Sequence, residues 1–235
     1  MNDPNYCIIE PGILPPRLAE KHGRYAHMGV NLLKGCLPDF DYDICCPVAG
    51  DVLPEPSAYD GYLVMGSEHG VNDDLPWMTP LLTFLNKAFT QRIPIVGICF
   101  GHQAVAKALG GQVERRGWNV GVTDYHDPDK KRQMSSVVYH QDQVVALPPD
   151  ARLEWTSDRC INAALSYSTS LCWTIQSHPE FSPEFSWDLF EDTRHDPLTD
   201  AQCDQAKREV ADFEPDLGYV EARIRETFLG GVDPD

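Results

Sequence analysis

Between Ile93 and Gly111 the chain reads IPIVGICFGHQAVAKALGG: a short apolar run, a cysteine with a glycine two residues away on either side, and a segment of helical spacing. An apolar run of this length that breaks sharply into a helix is read as a strand buried on both faces. Such strands belong to parallel sheets with helices packed above and below.

The same pattern recurs along the first half. Tyr6 to Ile9, a stretch near Tyr42 to Val48, and Asp60 to Met65 have strand character, while helical spacing appears around Leu18 to Leu33 and from Met78 to Phe89. Alternating strands and helices imply right-handed crossovers. The fold expected is therefore α/β, a doubly wound, mainly parallel sheet with helices on both faces. From Gln112 to Ile175 the pattern changes to short strand-like segments, Val120 to Val122, Val137 to Tyr139, Val144 to Leu147 and Leu171 to Ile175, which suggests a partly antiparallel region. The tail over about 185–230 has helical spacing broken near Pro197 and Pro215, giving two or three further helices. With 235 residues, 42% of them hydrophobic, and no repeat or linker, one domain over 1–235 is expected, with its core at about 6–181.

In open parallel sheets, sites gather at the carboxyl ends of strands. Gly66 and Cys99 both fall at such ends. Gly97-Ile98-Cys99-Phe100-Gly101 places a nucleophilic residue type on a strand-to-helix turn, the arrangement of a nucleophile elbow. The helix starting at Phe100 aims its free amides and positive dipole end at the sulfur, which favours thiolate and can hold an oxyanion. An ordinary buried cysteine in a βα turn would have the same local sequence, so a partner base has to decide between the two. Ser177-His178-Pro179-Glu180 follows the apolar strand directly. Proline pushes His178 into an extended conformation. If the extended path continues, His178 and Glu180 project to the same side and can hydrogen-bond. Nucleophile, base and orienter are then all present.

Taken together, Gly97 to Gln103 and His178-Pro179-Glu180 resemble the class I, triad-type glutamine amidotransferases over roughly Tyr6 to Phe181. The resemblance implies hydrolysis of a γ-glutamyl amide bond through a γ-glutamyl thioester. It makes Cys99 the nucleophile, His178 the base and acid, and Glu180 the third member. The Phe100 amide becomes one oxyanion donor, and the loop Gly66-Ser67-Glu68 supplies the other. That loop departs from the family's Gly-Gly-Pro pattern, since Ser67 and Glu68 replace its last two residues. Gln103 matches a substrate-positioning glutamine. Tyr139-His140-Gln141-Asp142 matches the segment whose main chain holds the amino-acid end of the substrate. His102 is expected to pack rather than react. Gly66-Ser67-Glu68-His69 with Asp73-Asp74-Leu75-Pro76-Trp77 resembles free-standing members similar to the glutaminase domain of GMP synthase, among which are the plant γ-glutamyl peptidases.

Three alternatives remain at this stage. One is a glutaminase subunit that feeds ammonia to a separate synthase chain, since no P-loop or other ATP motif is visible. Another is a dienelactone-type cysteine hydrolase that uses an acid such as Asp142. The third is an inactive regulatory homologue. A small-molecule γ-glutamyl substrate is the partner expected in the first place, with no cofactor and no metal. Against 19 Lys and Arg stand 36 Asp and Glu, a net charge of −17, so nucleic acid and anionic membrane are not expected partners. No apolar run is long enough to span a bilayer and MNDPNYCIIEPG has no signal-peptide character, so a soluble, cytoplasmic protein is expected. The eight scattered cysteines have no disulfide-scaffold or zinc-knuckle spacing, and most should be reduced and buried.

Overall fold

The computed structural model describes residues 3–168 and 171–230. Four short strands are buried along all or nearly all of their length: β1 (Asn5–Ile9), β3 (Gly61–Val64), β4 (Ile95–Ile98) and β9 (Cys172–Ile175). Each is an apolar run with both faces covered, as parallel central strands require. With β2 (Asp41–Cys45), β7 (Ala151–Trp155) and β8 (Ala164–Tyr167) they form a seven-stranded sheet of order β2-β1-β3-β4-β9-β8-β7. The pairs from β2 through β9 are parallel, and the last two, β9 with β8 and β8 with β7, are antiparallel.

Helices cover both faces. On one side α3 (Met78–Thr90) and α4 (Phe100–Ala108) pack over Tyr62, Val64 and Ile95. On the other lie α1 (Pro16–His22) and α2 (Tyr25–Cys36). The expected single helix over Leu18 to Leu33 is thus two, because Gly23 turns the chain at φ +81.

The expected short segments between Gln112 and Leu147 are parts of one long antiparallel hairpin, β5 (Gln112–His126) and β6 (Gln133–Ala146), that stands apart from the main sheet. A register shift between Arg115 and Asn119 interrupts its alternation, which is why it reads as fragments. The tail forms three helices, α5 (Pro183–Asp192), α6 (Asp200–Ala211) and α7 (Gly218–Leu229), with breaks at the two expected prolines. It is built into the fold. Phe228 of α7 packs its ring 4.6 Å from that of Tyr6, and Glu209 of α6 accepts from the Val122 amide at 3.0 Å.

Candidate active site

Cys99 joins β4 to α4. Its N–H donates to the Ile175 carbonyl at 2.8 Å, and its own carbonyl accepts from the Gln103 amide at 3.1 Å. Held from both sides, the residue takes φ 51 and ψ −102. A non-glycine residue here costs about 1–3 kcal/mol, which only an over-determined surrounding can sustain. The cysteine itself takes the strained turn, and the flanking glycines make room for it. They allow close approach: a Cβ on Gly97 would stand 2.8 Å from the Gly101 carbonyl carbon, and one on Gly101 would collide with the Val64 carbonyl oxygen.

Phe100 opens α4, so its amide has no acceptor within the helix and lies at the positive end of the helix dipole. Across from it, Gly66 follows β3. A Cβ there would lie 3.0 Å from His178 Cε1 and 3.8 Å from Cys99 Cβ, so the site has no room for a side chain. The substituted loop is tied down by its own side chains. Ser67 Oγ donates to the Pro11 carbonyl at 2.9 Å and accepts from the His69 amide at 3.0 Å. The Glu68 carboxylate accepts from the Ile13 amide at 3.1 Å.

His178 is fixed by its amide, which donates to the Val137 carbonyl of β6 at 2.8 Å. The extended path expected through Pro179 is instead a tight turn, closed by the Phe181 amide donating to the His178 carbonyl at 3.3 Å. Proline's fixed φ suits the second position of such a turn. The turn still brings the two side chains together, with His178 Nδ1 2.8 Å from Glu180 Oε1. A carboxylate only accepts, so Nδ1 carries the proton. The Phe181 ring lies flat on the imidazole at 3.9 Å, and the Glu180 side chain is wholly buried. Burial works to lower the His178 pKa, but negative charge and hydrogen bonding at Cys99 and Glu180 outweigh it and push it up to about 10.

A cavity of about 380 Å³ opens over the cysteine and is lined by Ser67, Cys99, Phe100, Gln103 and Tyr139 to Asp142. Gln103 Nε2 donates to the Asp142 carbonyl at 2.8 Å and to Gln176 Oε1 at 3.2 Å, so it orders the segment it faces. His140 has its Nδ1 3.2 Å from the Asp142 carbonyl and Nε2 3.3 Å from Asn119 Nδ2, and burial pushes its pKa down to about 3. It is a neutral strut. His102, also pushed down to about 3 by burial, packs beneath the site with Nδ1 2.8 Å from Thr174 Oγ1. The Tyr139 ring lies 5.0 Å from that of Trp118, and burial raises its phenol to about 12. Glu68 and His69 line the cavity, whereas Trp77 lines a larger groove beyond His69.

Asp142, the acid of the dienelactone-type alternative, is turned away from the base. Its Oδ1 sits 3.4 Å from Arg115 Nε, while His178 already has Glu180. Four residues escaped the sequence reading: Gln176, whose Nε2 lies 3.6 Å from Cys99 Sγ; Arg115 of β5; and Thr193 and Asp196 at the α5–α6 corner. Only Gln176 had a local signal, two residues before His178 at the end of β9.

All eight cysteines are buried and unbridged. Among the described residues no three His, Cys, Asp or Glu side chains group as metal ligands do, and no helix is long and apolar enough to cross a membrane.

The family model described as glutamine amidotransferase class-I matches residues 52–188. Gamma-glutamyl peptidase 5 of Arabidopsis thaliana is 31% identical over 173 residues, 67% of this chain and 68% of that protein. The glutamine-hydrolyzing GMP synthase subunit of Pyrococcus furiosus is 35% identical over 99 residues, 37% of this chain and 51% of that protein. A glutamine amido transferase from Methylobacillus flagellatus has the same fold, with a TM-score of 0.73 at 21% identity over 100% of this chain and 97% of that one.

Proposed function

The chain belongs to the class-I glutamine amidotransferase family, and from that premise we propose that it hydrolyses γ-glutamyl amides with Cys99, His178 and Glu180 as its catalytic triad. The observation that carries this is the strained Cys99 elbow facing a buried imidazole whose other nitrogen is held 2.8 Å from a carboxylate. A structural histidine needs no such carboxylate, and a structural cysteine needs no positive φ.

In this mechanism the Cys99 thiolate attacks the γ-carbonyl carbon. The oxyanion is held by the amides of Phe100 and the Gly66-Ser67 loop, whose N–H groups cost no reorganisation when charge develops. His178, charged at neutral pH, gives its Nε2 proton to the departing amine and leaves a γ-glutamyl thioester. The now neutral imidazole takes a proton from water, which attacks the thioester. Glutamate departs and the thiolate–imidazolium pair is restored. Glu180 keeps the proton on Nδ1 and stabilises the imidazolium. The same reading takes the chain as one amidotransferase-like domain with α5 to α7 as part of it.

A free-standing hydrolase is favoured over a subunit feeding a synthase. The likeness to the γ-glutamyl peptidase extends over two thirds of both chains, whereas that to the GMP synthase subunit covers 37% of this one. The test is turnover by the purified chain of glutamine, γ-glutamyl peptides, γ-glutamyl alkyl amines and γ-glutamyl anilides. Release of glutamate that disappears in Cys99→Ala supports the hydrolase. Turnover of none of them, with Cys99 still labelled by a glutamine-like diazoketone, would point to the partner-dependent subunit.

A further inference from the structure

On the hydrolase reading His178 is the acid that releases the amine, so the amine leaves beside it. His178 hangs from the Val137 carbonyl of β6 at 2.8 Å, which sets the amine at that end of the strand. The opposite end is taken by Asp142: a Cβ on Gly70 would stand 2.8 Å from Asp142 Oδ2 and 3.2 Å from Asp73 Oδ1, and Gln103 holds the Asp142 carbonyl. Tyr139 is two residues from Val137 and three from Asp142, and three strand residues span about 10 Å. Tyr139 therefore belongs to the amine end.

The wall at that end is aromatic. Between the pairs Arg115–Asp142 and Asn119–His140, the β5 residues Arg116 to Trp118 face only Gln141 of β6. A bulge re-aims side chains, and bulges gather beside active sites. This one sets the half-exposed Trp118 ring in the cavity lining, 5.0 Å from that of Tyr139. Phe190 of α5 stacks on Tyr139 at 6.2 Å. Thr193 and Asp196 lie close to the Tyr139 phenol and line the cavity with Pro197. Their corner is clamped, because Arg194 donates to Glu191, Asp200 and Asp204 at distances between 2.7 and 3.1 Å. It lies beyond residue 188, where the match to the family model ends.

Charge adds a second constraint. Among the described residues that line the cavity, Glu68, Asp73, Asp142 and Asp196 stand against one guanidinium, Arg115, which already faces Asp142. Such a cleft has a negative field that repels an amine carrying its own carboxylate.

We infer that Trp118, set on its bulge against Tyr139 and the α5–α6 corner, selects the leaving group, and that the group it accepts is an amine with an apolar body and no carboxylate. This rests on the hydrolase reading and names its substrate class, γ-glutamyl amides of apolar amines as opposed to γ-glutamyl peptides.

The test compares three substrates with the same acyl group: γ-glutamyl phenethylamide, γ-glutamyl ethylamide, which lacks the ring, and γ-glutamyl-phenylalanine, which adds a carboxylate. The wild-type chain should favour the phenethylamide over the ethylamide by about tenfold in kcat/KM, the scale of one ring packed on another. Trp118→Ala should bring that ratio close to one, and Trp118→Phe should keep most of it. The phenethylamide should also be favoured over γ-glutamyl-phenylalanine, by a margin that narrows as salt is raised from about 0.01 M to about 1 M. Asp196→Asn, on the exposed surface, should narrow the same margin by about two- to fivefold at low salt. A wild-type chain that cleaves ethylamide and phenethylamide equally, a Trp118→Ala variant that loses equally on both, or a preference for γ-glutamyl-phenylalanine overturns the inference and leaves the hydrolase reading standing. Turnover of none of the three above the Cys99→Ala background overturns the hydrolase reading, and this inference with it.

Discussion

His178 Nδ1 and Glu180 Oε1 are 2.8 Å apart although only a proline separates their residues. The contact comes from a turn that folds the chain back on itself, and it buries the whole Glu180 side chain. The second carboxylate oxygen, Oε2, is buried with no hydrogen-bond partner among the described residues. A charge kept at that expense is justified by what it does to the imidazole.

Glu180→Gln keeps the shape and removes the charge. The imidazolium loses its stabilisation and the tautomer its control, so kcat should fall about 10²- to 10⁴-fold with a smaller change in KM. The melting temperature should fall as well, because the neutral amide no longer pairs with the buried imidazolium. Steady-state kinetics alongside a thermal melt would check both, and a large drop in melting temperature with intact kcat would contradict the role.

The His178 shift has a definite sign. Charge at Cys99 and Glu180 holds the folded-state value at about 10, above the ordinary value of 6.5. The imidazole should therefore keep its proton at neutral pH and release it only as pH rises through about 10, with turnover falling over that range as the acid for the leaving amine is lost. The stabilisation linked to this proton is complete below about 6.5 and disappears by about 10. Cys99→Ala removes one of the raising influences, so the His178 titration, followed by imidazole NMR, should move down.

The parts of this site legible in the sequence are those whose backbone requirement is local. Gly97, Cys99 and Gly101 announce a strand-to-helix turn, and His178-Pro179-Glu180 can place two side chains together by short-range geometry alone. Arg115 had no such signal, since its value depends on the hairpin register that sets it opposite Asp142 and on Cys99 lying beneath. Thr193 and Asp196 reach the cavity from the α5–α6 corner, a placement no local pattern announces. The register shift between Arg115 and Asn119 concealed the strand itself.

Gly66 and Gly101 are both crowded, with different consequences. A Cβ at Gly66 meets His178 Cε1 at 3.0 Å, while one at Gly101 collides with the Val64 backbone. A side chain can yield more easily than a strand. Gly66→Ala should therefore displace the imidazole, lowering kcat by at least about tenfold, with modest loss of stability. Gly101→Ala should cost more stability, about 1–3 kcal/mol as overpacking typically does. Urea melts and kinetics on both variants would reveal a reversal of that order.

Cys99 offers a separate test of strain. Alanine and glycine both delete the sulfur, so both should abolish turnover, but only glycine is at ease at φ 51 and ψ −102. Elsewhere glycine is the less stable of the two by about 0.5–1 kcal/mol. Here relief of about 1–3 kcal/mol of backbone strain should exceed that penalty. Cys99→Gly should consequently unfold at higher urea concentration than Cys99→Ala, by about 1 kcal/mol in stability. The usual order, with alanine the more stable, would mean that the elbow stores no strain and that the cysteine occupies its turn without cost.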